Sequence, residues 1–138
     1  MLRTDPFSPT GDSPSSHCDG SVVVREQPVV LHPLNAGEVI DRVARMAKVD
    51  TDEVESDLAL LGIAFAEVDP RDLVEAGHWR ARHYHRTRRP VSLADCVAAV
   101  CALRSEVALA TSDRHCAAML RDEGGEVLAL PASDGSLP

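Results

Sequence analysis

From Gln27 onward, short apolar runs alternate with stretches of helical period, and this alternation restricts the chain to few folds. "PVVLHP" reads as a strand closed by Pro33, and Asn35 is placed to cap a helix through about Lys48. That helix carries Val39, Ile40, Val43, Ala44 and Ala47 on one face. Thr51 is placed to cap a second helix, acidic in its first turn and ending near Gly62. "IAFAEV" alternates as a half-buried strand, and Asp69-Pro70 opens a third helix. Ser92 caps a helix through about Ser105, "VALAT" is a strand, "SDRHCAAMLRDEG" a short helix and "EVLAL" a last strand. Strands separated by helices predict an α/β fold in which a central parallel sheet is flanked by helices, a three-layer arrangement.

The chain has 138 residues, enough for one domain with a core of its own. Hydrophobic residues make up 44% and aromatic ones 3%, so that core is built from Val, Leu, Ile and Ala. No apolar run approaches the length of a membrane span and no leader pattern is visible, which predicts a soluble, cytoplasmic protein. Residues 1–27 differ in kind. "TDPFSPTGDSPSSHCDG" is rich in Pro, Ser, Gly and Asp without apolar period, and reads as irregular; only "SVVV" there suggests a strand. The expected organisation is an atypical segment 1–27, a domain over 28–131 and a frayed tail over 132–138. The four cysteines lack the spacing of a zinc site, and Cys96 and Cys116 fall in helical patterns as small buried hydrophobes.

A formal charge of −8 argues against nucleic-acid binding by net charge. Positive charge is nevertheless concentrated in "RARHYHRTRR" (80–89), with five arginines, two histidines and no acid. This stretch is either a solvated helix end or a local phosphate-binding patch, in which Arg86, Arg88 and Arg89 would meet the ligand.

Three acids stand where an α/β fold gathers function. Thr111-Ser112-Asp113 ends a strand, and Glu38 and Asp95 fall in the first turns of helices, ends that commonly face the crevice beyond the strand C-termini. Singly, each is well explained as a helix cap, since Asn35 with Glu38 and Ser92 with Asp95 have capping-box spacing and Asp113 precedes a helix. Together they would repel one another unless a cation lay between them, and oxygen ligands of this kind suit Mg²⁺ or Mn²⁺.

The segments "VVLHPLNAGEVIDRVAR", "VSLADCVAAVCALRSEVALATSDRHCAAML" and "EVLALP" resemble the PIN domain family, most closely its VapC-type toxin ribonucleases. The resemblance implies a Mg²⁺-dependent endoribonuclease (Mn²⁺ as an alternative) that acts on RNA. Its metal would be held by four acids, with Glu38, Asp95 and Asp113 matching three of them. It also implies Ser92 and Thr111 as supporting residues, Arg114 against phosphate or antitoxin, a homodimer, and a small antitoxin seated in the active-site groove. The departure is an atypical or damaged N-terminus: the family's first ligand ends an apolar strand, and Asp5 stands at about the right distance without one. An incomplete acid set would leave a catalytically impaired protein that only binds an antitoxin-like partner or another protomer.

Overall fold

The computed structural model describes residues 28–138. Its order is β1 (Val29–Leu31), α1 (Pro33–Ala47), α2 (Thr51–Leu60), β2 (Ile63–Phe65), α3 (Pro70–His83), α4 (Leu93–Arg104), β3 (Leu109–Thr111), α5 (Arg114–Asp122) and β4 (Val127–Ala129). Strands and helices alternate as the sequence predicts, and every strand pairing is parallel. Among the described residues the strands form two separate pairs, β1 with β2 and β3 with β4, rather than one continuous sheet. Val29 lies opposite Ile63, and Leu109 opposite Val127.

The core belongs to the second half of the chain. α4 is buried nearly all round, through Ala94, Cys96, Val97, Ala99, Val100 and Ala102. α3 packs on one side of it and α5 on another, supplying Ala76 and Trp79, and Cys116, Met119 and Leu120. A helix this apolar is stable only when other elements wrap it. One charged contact reinforces the α3–α4 seam. Asp72, 3% exposed, accepts from Arg104 Nε at 3.0 and 2.9 Å through its two oxygens. By contrast, Val29, Val30, Met46, Leu60 and Leu61 are all more than half exposed.

Two helix starts differ from the sequence reading. α1 is capped by His32, whose Nδ1 accepts from the Leu34 amide at 3.1 Å, not by Asn35. Pro33 is therefore the first helical residue, where its fixed φ and missing N–H fit, and Glu38 falls in the second turn. α2 is capped by Asp50, which accepts from the Asp52 amide at 2.9 Å, not by Thr51. Asp69, Ser92 and Asp113 cap α3, α4 and α5.

The link from α5 to β4 is tight. Gly124 has φ +83° and a Cβ on Gly125 would lie 2.2 Å from Cδ1 of Leu120, a side chain without solvent exposure. Gly125→Ala should therefore lower stability by about 1–3 kcal/mol, the usual cost of overpacking, read as a fall in the urea midpoint with unchanged slope. A midpoint equal to wild type would mean that the α5–β4 link moves freely.

His32 is itself buried, and burial holds its pKa below the usual 6.5 against the opposing pull of Asp72. The unfolded chain takes up a proton near 6.5 before the folded one does, so stability is full above that pH and falls as the pH drops from there through the folded value. His32→Asn retains a capping oxygen and should flatten the loss of stability between pH 7 and 5 in chemical denaturation.

Candidate active site

Asp95 occupies the third position of α4 in a complete capping box. The Ser92 amide donates to Asp95 Oδ2 at 2.8 Å and the Asp95 amide donates to Ser92 Oγ at 3.0 Å. Asp113 caps α5, its Oδ1 accepting from the amides of His115 at 2.6 Å and Cys116 at 2.9 Å. Thr111, the last residue of β3, orders this corner by accepting the Asp113 amide at 3.0 Å on Oγ1. Both acids thus serve as caps, and each does so with one oxygen. Among the described residues, Asp95 Oδ1 and Asp113 Oδ2 make no hydrogen bond.

Cys116 joins the two acids. Its amide is bonded to Asp113, and its thiol lies 3.9 Å from the Asp95 carbonyl oxygen. Burial pushes the Cys116 thiol up to about 12, and the negative charges of Asp95 and then Asp113 add to that. Cys96 is pushed up to about 11, first by burial and then by Asp95, with Arg80 acting the other way. Through Cys116 the start of α4 is joined to the start of α5, which places the backbones of Asp95 and Asp113 in one neighbourhood. The raised pKa values of Cys96 and Cys116 argue against them as nucleophiles, because the thiolate is the reactive form. In the native protein Cys96 and Cys116 should resist iodoacetamide at pH 7.5 and become alkylated in urea, as mapped by mass spectrometry. Rapid native labelling of Cys116 would contradict this placement.

Glu38 is exposed on α1 and makes no hydrogen bond among the described residues. Asp5 lies outside the described residues. Among the described residues no three His, Cys, Asp or Glu side chains lie close enough together to hold a metal ion. What is present still has suitable donor chemistry. Two carboxylates, each with an uncommitted oxygen, match Mg²⁺, which is commonly held by one or two carboxylates together with waters and substrate phosphate.

The basic stretch divides into committed and uncommitted charges. Arg89 donates to Asp122 Oδ2 at 2.8 Å and meets His83 Nδ1 at 2.9 Å. Arg82 donates to Glu123 at 2.9 Å, and His83 Nε2 lies 2.6 Å from the same oxygen. With Arg89 donating to Nδ1, a neutral His83 carries its proton on Nε2, facing Glu123. The His83 and Arg82 bonds hold the Glu123 carboxyl below the usual carboxylate range. Arg86, Arg88 and Arg114 are exposed and form no ion pair among the described residues. Arg80 also has no acidic partner there; its guanidinium stacks over the Tyr84 ring at 4.4 Å. The spacing of Arg80 and Tyr84, one helical turn apart, is the sequence signal for this pair.

The sequence profile of the PIN domain matches residues 19–120. The chain belongs to the PIN domain family, whose members are nucleases, typically Mg²⁺-dependent. No curated protein and no solved structure matches it. Among the described residues no helix is long and apolar enough to cross a membrane.

Proposed function

We propose that the protein is a metal-dependent endoribonuclease and the toxin of a toxin–antitoxin pair. The observation that carries this reading is that Cys116 bonds the Asp113 carboxylate through its amide and the Asp95 main-chain carbonyl through its thiol. This joins the two acid-bearing helix starts, each acid keeping one carboxylate oxygen uncommitted. A Mg²⁺ or Mn²⁺ ion there would supply a polarised water and neutralise charge on the attacked phosphate. Asp95 and Asp113 would hold it, with Glu38 and Asp5 completing the family's set of four.

The chain's own residues do the positioning. Ser92 and the amides of His115 and Cys116 fix the two carboxylates by hydrogen bonds, so a ligand would meet carboxylates already ordered by the fold. The buried cysteines and alanines of α4 exclude water from behind the site. Arg86, Arg88 and Arg114, with Arg89 anchoring the turn, offer positive charge to the strand being cut. Leu60 and Leu61, neighbours at the end of α2 and exposed at 85 and 74%, offer apolar side chains to a second protomer. A small antitoxin would act by covering the two carboxylates. The second reading, a protein that only binds an antitoxin-like partner or another protomer, is favoured by one observation: the described residues assemble no three-ligand cluster.

Asp95→Asn and Asp113→Asn separate these readings. Asparagine keeps an acceptor for the capping bonds, so unfolding midpoints should stay near wild type. Losing a partner that merely orients a metal ligand costs about 10–100-fold; losing a ligand's charge should lower Mg²⁺-dependent RNA cleavage by more than about a hundredfold. Cleavage that persists in EDTA would refute the mechanism, and a wild-type protein that cleaves no RNA would support the binding-only reading.

A further inference from the structure

Beside the start of α4 lies a concavity that Asp95 and Asp113 do not line. It is a cleft of about 290 Å³ lined by Gly77, Arg80 and Ala81 of α3, Tyr84 at its C-cap, and Leu93. Leu93 is the first residue of α4, two positions before Asp95. The lining is unusual for this acidic chain in having no carboxylate. Gly77 and Ala81, one turn apart on α3, leave a shallow floor, and a Cβ on Gly77 would meet nothing within 4 Å. Tyr84 and Leu93 remain 44% and 49% exposed although they are large and apolar. Arg80 covers the Tyr84 ring at 4.4 Å, and its Nε is buried without a hydrogen-bond partner.

We propose that this cleft is a nucleobase subsite, in which an unpaired base of the substrate strand stacks on Tyr84 beside Leu93 while Arg80 attracts the adjoining phosphate. The proposal rests on the ribonuclease reading and deepens it. Its volume is at the small end for ligand pockets, room for one flat ring system rather than an extended ligand. An aromatic face gives sequence-tolerant stacking, and an arginine beside it adds both cation–π and phosphate attraction. Arg82 and Arg89 are tied to Glu123 and Asp122, so of the helix-end arginines it is Arg80 whose charge is turned toward the cleft. Leu93, which lines the cleft, stands two positions before Asp95, so a base held here would lie beside the first turn of α4.

The test is equilibrium binding of a fluorescent single-stranded oligouridine RNA to the full chain, in EDTA so that no cleavage occurs. Tyr84→Ala should weaken binding by roughly tenfold, as expected for one stacked base, and Tyr84→Phe should bind as wild type does. The Tyr84→Ala effect should shrink on an RNA carrying abasic sites. Arg80→Gln should reduce the salt dependence, which Tyr84→Ala should leave unchanged. Circular dichroism checks that each variant is folded. Equal binding by Tyr84→Ala and wild type, an equal loss on abasic RNA, or no binding by wild type would each overturn the subsite. Failure of the ribonuclease reading is distinct: Tyr84-dependent binding without Mg²⁺-dependent cleavage would remove the activity and leave the subsite standing.

Discussion

The burial of α4 is the constraint on which the rest of the structure depends. Its alanines, valines and cysteines leave it no solvent-facing stripe over most of its length, so α3 and α5 must close over it. Burying such side chains contributes roughly 25 cal/mol per Å² of apolar surface, and this chain concentrates that gain in one place. The polar groups at the two ends of α4 then set its register. At the exit Arg104 is clamped to the buried Asp72, and at the entrance Ser92 and Asp95 satisfy each other's amides. Removing Arg104 alone would strand the buried Asp72 carboxylate, which costs more than the pair contributes, whereas Arg104 without Asp72 would still reach solvent.

The candidate site is a by-product of that packing. Because α4 and α5 share the contact through Cys116, the helix starts that carry Asp95 and Asp113 are held next to each other by the core itself. Each acid therefore has two demands on it. One oxygen satisfies orphan amides at a helix N-terminus, where negative charge is favoured, and the other is left over for chemistry. The structural role does not compete with the functional one.

How much of this could be read in the sequence varies with the range of the interaction. Ser92 with Asp95, and Asp69 ahead of Pro70, are local patterns and were legible, as was the order of strands and helices. The start of α1 is not legible in this way, because asparagine is a far commoner cap than histidine and a proline can close a strand as readily as open a helix. Starting the helix at Pro33 puts Glu38 in the second turn rather than the first. The arginines of the basic stretch could not be sorted by inspection, since Arg82 and Arg89 find their acids about forty and thirty residues away on α5. The Arg80–Tyr84 pair has helical spacing, a weak signal inside a segment dominated by its charge.

The chain carries one tryptophan, and its location makes it an optical reporter of a particular region. Trp79 is 3% exposed, meets the His83 ring edge-on at 6.5 Å, and donates from Nε1 to Glu75 at 2.9 Å. Its emission maximum therefore follows the α3–α4–α5 core. The segment from β1 to β2, whose apolar residues are mostly at the surface, would loosen without much change in that signal. Fluorescence and circular dichroism recorded on the same sample would consequently trace different parts of the molecule, and the gap between the two curves would measure how far its halves unfold together.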